Sequence, residues 1–158
     1  DAMAYLPTKY SLTIVGDGPE RDYLEARTSA SPASQQISFI GKRPYEEISQ
    51  ILQNSDVFVH PGVWPEPFGR TILEAMQLGL PVVATDIGGP SEIVPQSDLL
   101  CNPSDPSSLC EGVKYAYQNR TQIGQENLQY VQNKYHPKNV LPEFMDIYYQ
   151  VIKDHEGE

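Results

Sequence analysis

The sequence has 158 residues, 39% of them hydrophobic and 20% charged, proportions that suit one globular domain with a core of its own. A formal net charge of −10 at pH 7 repels phosphate backbones and anionic headgroups, which argues against nucleic acid as a partner and against direct docking on a membrane. Cys101 and Cys110, nine residues apart, fit neither a zinc pattern nor a disulfide framework and read as buried or idle thiols in a reducing cytoplasm.

Strand and helix signals alternate along the chain. "SLTIVG" (11–16) predicts a strand that ends in the turn "GDGP", and Pro19 opens a helix over "PERDYLEART" with its acidic residues early, where the helix dipole favours them. "SASPASQQ" (29–36) is polar, contains Pro and reads as a loop. "ISFIG" (37–41) is the next strand, and "PYEEISQILQNS" (44–55) a helix with Tyr45, Ile48, Ile51 and Leu52 on one face. "DVFVH" (56–60) predicts a third strand. The loop "PGVWPEPFG" leads into the helix "RTILEAMQLG", which Gly79 closes. "PVVAT" (81–85) is a fourth strand, "GGPSEIV" a turn and short helical piece, and "DLLC" (98–101) a fifth strand.

From Asp105 onward the pattern is helical. "DPSSLCEGVKYAYQN" starts with an Asp cap and Pro at the first helical position. A second helix spans about 121 to 134. In the last, "LPEFMDIYYQVIKDH", Phe144, Ile147, Tyr148, Val151 and Ile152 form an apolar stripe, and Pro142 suits its first turn or kinks it if the helix starts earlier.

Alternating βα units with nearly unbroken apolar strands predict an α/β domain, a Rossmann-like parallel sheet with helices on both faces and a helical C-terminal tail. Ligands of such sheets bind beyond the carboxyl ends of the strands. "GDGP", "GKRP", "HPGVWPEPFG" and "TDIGG" are all loops at those ends, so the distinctive residues converge on one rim.

Residues 66 to 74 carry the chemistry. A helix that begins near Gly69 or Arg70 leaves its first N–H groups without partners, and with the dipole they make an anion site suited to a diphosphate. Gly69 has no Cβ to hold a ligand off the backbone. Glu66 stands just outside the helix and Glu74 in its second turn. Two carboxylates beside a phosphate site make sense if each meets a hydroxyl-rich part of the ligand, as in a nucleoside diphosphate sugar with its sugar at one end and ribose at the other. Acidic residues near a helix start also serve as plain caps, and spacing does not separate the two uses.

The order "LTIVGDGPE", "ISFIGKRPYEEISQILQNSDVFVHP", "EPFGRTILEAMQLGLPVVATDIGGPSEIV" and "NPSDPSSL" resembles the C-terminal domain of retaining GT-B glycosyltransferases. Within them it is similar to the large family 4 (group 1), which includes sucrose synthases and many bacterial cell-wall, capsule and lipopolysaccharide transferases. The likeness runs from about residue 10 to 155 and centres on a Glu-x7-Glu signature with Phe-Gly inside it. It implies that Glu66 contacts donor-sugar hydroxyls as the catalytic-site glutamate. It further implies that the amides of Phe68, Gly69 and Arg70 meet the sugar, that those around Thr71 meet the distal phosphate, and that Glu74 binds the ribose. Gly16 would border the donor pocket, with Gly41, Lys42 and Arg43 beside the base.

The donor would be a UDP-, GDP- or ADP-sugar, with no further cofactor. The family normally has a Gly-Arg turn and a Lys upstream, together with an acceptor-binding N-terminal domain. None of these is in the sequence, which opens at "DAMAYLP" without an initiator Met, so the expectation is a donor-binding half with little activity alone. The N-terminal domain would be its partner and would make any membrane contact, at the inner face of the membrane. No D-x-D pair occurs, so metal independence is expected.

His60 reads as a rim histidine that packs or hydrogen-bonds, since nothing nearby completes a triad; His136 and His155 read as surface residues. Trp64 either walls the acceptor side or buries itself against neighbouring loops. "GDGPE" lacks the third glycine of a dinucleotide fingerprint, because Arg21 takes that place. The stripe on the last helix is core or domain contact. Two further readings remain: a non-catalytic nucleotide-binding module of the same fold, and a nucleotide-sugar epimerase.

Overall fold

Five short strands and seven helices alternate through the computed structural model, which describes residues 1–156. The strands are β1 (Leu12–Val15), β2 (Ile37–Gly41), β3 (Phe58–His60), β4 (Val82–Thr85) and β5 (Leu100–Cys101), and every pairing between them is parallel. They form two ladders, β1–β2 and β3–β4–β5, and no ladder joins β1 to β3 among the described residues. The register sets Leu12 beside Ile37 in the first and Phe58 beside Val82 in the second. Strand β4 is buried along its whole length, as a central parallel strand of Val-Val-Ala-Thr should be.

Helices flank both ladders. They are α1 (Arg21–Ser29), α2 (Tyr45–Gln53), α3 (Arg70–Gln77), α4 (Gly89–Ile93), α5 (Pro106–Gln118), α6 (Arg120–Lys134) and α7 (Pro137–Glu156). The core gathers on the β3–β5 side, where Ile72, Ala75 and Met76 of α3 meet Val82, Val83 and Ala84 of β4, with Val113 and Ala116 of α5 and Ile123 and Val131 of α6 around them. Neither α1 nor α2 has a fully buried residue. On α2, Ile48, Ile51 and Leu52 turn inward, but Tyr45, expected on that face, is 67% exposed.

Capping follows the local chemistry. Asp105 accepts hydrogen bonds from the N–H groups of Ser107 and Ser108 at the start of α5, with Pro106 behind it. Pro19 lies outside α1, whose N-cap is Glu20. The segment 29–36 is not all loop: Ser34–Gln36 form a 3-10 turn, as do Ala2–Tyr5, and Met3 and Leu6 enter the core. Helix α7 starts at Pro137, so Pro142 lies inside it, past the first turn. One buried polar chain ties α6 to the approach to β4: Asn127 Nδ2 donates to the Leu80 carbonyl at 2.8 Å and Gln96 Nε2 donates to Asn127 Oδ1 at 3.0 Å.

Candidate functional site

At the carboxyl end of β3, the chain passes from His60 through Pro61–Phe68 to Gly69, the N-cap of α3. No side chain caps that helix. Ile72 and Leu73 N–H donate to the Gly69 carbonyl at 3.0 and 3.4 Å, which leaves the amides of Arg70 and Thr71 as the unpaired donors of the first turn. Arg70 and Thr71 are exposed there. An uncapped helix start with exposed N–H groups favours an anion.

Two glycines of the loop after β4 brace this segment. Gly89 N–H donates to the Glu66 carbonyl at 2.7 Å. A Cβ on Gly88 would stand 2.8 Å from the Glu66 carbonyl oxygen and 2.9 Å from the Pro65 backbone, and one on Gly89 would stand 2.8 Å from the backbone of Pro67 and Phe68. Only glycine allows the two loops to lie this close. Gly88 also has φ 64° and ψ −144°, a conformation essentially reserved to glycine. Thr85 Oγ1 donates to the Gly62 carbonyl from the same side. Gly69 itself is buried, and a Cβ there would press on Ile72 Cδ1 at 2.8 Å. Its missing side chain therefore serves packing against α3, rather than the outward approach of a ligand.

The predicted residues fall into separate groups. Glu66 Oε1 lies 2.7 Å from His60 Nε2, with both side chains mostly shielded. Phe68 sets its edge against the Tyr135 ring at 6.1 Å, and Tyr135 in turn meets Tyr130 and lies under Lys134 Nζ. Burial pushes the Tyr135 phenol above its usual 10, with Tyr130 adding to the shift and Lys134 opposing it. Glu74 lines a small groove of about 70 Å³ with Tyr45, Ile48 and Leu52 of α2 and Gln77 and Leu78 beside it. Glu66 is not among the residues of that groove.

Gly16 and Gly41 meet at the end of the first ladder, where Gly16 N–H donates to the Gly41 carbonyl at 2.9 Å. Lys42 and Arg43 follow, both exposed, with Arg43 3.6 Å from Glu47. A larger groove of about 410 Å³ runs between α1 and β2, past Glu25, Ser29, Ile37 and Phe39, and contains none of the predicted residues.

His60 lies at the rim with Nε2 2.7 Å from Glu66 itself, a closeness the sequence did not reveal. The available signal was a histidine at a strand end six residues before the glutamate. Trp64 is 77% exposed, so the buried alternative does not hold. His136 and His155 are exposed, as expected. Gly88 and Gly89 were legible only as a turn, not as the brace under Glu66.

A parallel α/β domain with an uncapped helix at its carboxyl-end rim, edged by two acidic side chains, belongs to the class that binds anionic nucleotides beyond its strands. The chain matches the family described as glycosyl transferases group 1 over residues 1–136, and it belongs to that family. It is 32% identical over 142 residues to an uncharacterized glycosyltransferase of Methanocaldococcus jannaschii, covering 87% of this chain and 36% of that one. A glycogen synthase of Mycobacterium tuberculosis is 33% identical over 122 residues, covering 72% of this chain and 29% of its own. Among solved structures, Anabaena HepE in complex with UDP superposes with a TM-score of 0.85 at 25% identity, and its complex with UDP-glucose with 0.82 at 26%. In both, the match covers 94% of this chain and 43% of that one. Its structural neighbours are GT-B glycosyltransferases. The chain thus spans about a third of the curated relatives it matches.

Proposed function

We propose that this chain is the donor-binding, C-terminal half of a family 4 GT-B glycosyltransferase that moves a sugar from a nucleotide-sugar donor with retention of configuration. The observation that carries it is the uncapped start of α3, where the amides of the exposed residues Arg70 and Thr71, between Glu66 and Glu74 in the chain, have no partner. The diphosphate lies on those amides, Glu66 takes sugar hydroxyls, and Glu74 takes the ribose from its groove beside α2. As the sugar–phosphate bond breaks, charge builds on the distal phosphate, and fixed N–H dipoles hold it without reorganising; one such donor contributes about 3–4 kcal/mol elsewhere. With no D-x-D pair in the sequence, these donors rather than a divalent ion neutralise the leaving group. The binding of UDP and UDP-glucose by HepE supports a uridine donor.

The acceptor site and the remaining cationic groups belong to an N-terminal domain of the same protein. One observation supports such a domain: α7 presents Phe144, Ile147, Tyr148, Val151 and Ile152 half or more exposed. Among the described residues the ladders β1–β2 and β3–β4–β5 are not joined, which suits a further parallel strand of the donor-binding half between them. The product is a polysaccharide, lipopolysaccharide or glycolipid made in the cytoplasm, where the free Cys101 and Cys110 stay reduced.

Calorimetric titration of the full-length protein with UDP, GDP and ADP and their sugars tests the donor site. Binding of one nucleotide that is lost in Glu74→Ala is the expected result. No binding of any of them at millimolar concentration would leave a non-catalytic module as the better account.

A further inference from the structure

Glu66 has one polar side-chain neighbour among the described residues. His60 Nε2 stands 2.7 Å from Oε1. The other ring nitrogen, Nδ1, is buried with no partner, so nothing else polar fixes the ring. The Phe58 ring lies 6.5 Å away on the same strand, and a Cβ on Gly62 would stand 3.5 Å from His60 Cε1. The Glu66 backbone is fixed independently by the Gly89 N–H. Strand β3, through His60, therefore meets the Glu66 side chain, while the glycine turn after β4 holds its backbone.

We propose that His60 is a positioning residue for the donor sugar. By engaging Oε1 it sets the rotamer of Glu66 and leaves Oε2 directed to accept hydroxyls, so the sugar meets an acceptor already in place. Positioning of this kind lowers the ordering cost of binding. His60 does not touch the nucleotide, and its effect is confined to the sugar end. This rests on the donor site proposed above.

The test compares the affinity of the full-length protein for UDP, GDP and ADP, free and as their glucose conjugates, in wild type, His60→Leu and His60→Gln. The wild-type protein should bind one conjugate more tightly than its free nucleotide. His60→Leu should reduce that sugar-dependent gain roughly tenfold, the scale of one lost positioning contact, with affinity for the free nucleotide unchanged. His60→Gln, whose side-chain amide can reach the same oxygen, should restore most of it. An undiminished gain in His60→Leu, or an equal loss for nucleotide and conjugate, would overturn the positioning role while leaving the donor site standing. Failure of the wild-type protein to bind any of the six would overturn the donor site and this role with it.

Discussion

Glu66 sits where three constraints meet: its carbonyl under Gly89, its carboxylate beside His60, and its loop against the Gly88 turn. Removing the carboxylate with Glu66→Ala should lower turnover of the full-length protein on the order of a hundredfold, the scale of a misplaced reacting group, with little change in melting temperature. Near-normal turnover would remove it from the site. Gly88→Ala should act through the backbone instead. Its φ of 64° with ψ of −144° and the 2.8 Å approach to the Glu66 carbonyl together cost at least about 1–3 kcal/mol, and the loop should shift with loss of donor affinity. Chemical denaturation and calorimetry on the same variant read both effects. Cys101 offers a separate check. Burial raises its thiol, partly countered by the Ser108 side chain, so the folded state disfavours the thiolate. The stability this represents is whole below the ordinary thiol pKa and is lost as pH climbs through the raised one. Native protein should resist a thiol reagent near pH 8 and react only after unfolding.

Helix α3 shows how one element serves core and site together. Its inner face of Ile72, Ala75 and Met76 is fully buried, while its first turn is open to solvent. Helix α6 packs on its C-terminal end, where Gly124 lies against the Gly79 carbonyl and Asn127 takes the Leu80 carbonyl. Asn127→Leu should leave that buried acceptor unpaired and the Gln96 amide with only Glu126, and cost about 1–3 kcal/mol by denaturant titration; a change within a few tenths would mean that water replaces the amide. These elements differ in how far the sequence foretold them. The cap at Asp105, the start of α3 at Arg70 and the five strands follow from local chemistry and periodicity, and the sequence was enough for them. The unjoined ladders and the brace of Gly88 and Gly89 under Glu66 depend on segments brought together across the chain, for which no local pattern exists; the start of α7 at Pro137 and the closeness of His60 to Glu66 had local signals, a Pro at the first helical position and a histidine six residues before the glutamate. Tyr45 went astray for a related reason: helical spacing places it on the inner face, but the first turn of α2 overhangs the groove at Glu74.

On the scale of the molecule, the charge of −10 would leave an anion at the start of α3 to local N–H donors and exposed Arg70, not to a general field. The apolar stripe of α7 is the largest departure from an ordinary surface. If the remainder of the protein covers it, Phe144, Tyr148 and Tyr149 should be reactive to hydroxyl radicals in isolated 1–158 and protected in the full-length protein. Equal reactivity in both would leave the stripe without that partner.

The central claim is that a nucleotide sugar lies across the start of α3 with a carboxylate at each end. A crystal structure of the full-length protein with its bound nucleotide sugar measures this most directly. The diphosphate should accept hydrogen bonds from the Arg70 and Thr71 amides, with Glu66 on the sugar and Glu74 on the ribose. A nucleotide seated instead in the groove between α1 and β2, with both carboxylates free of it, would contradict the account.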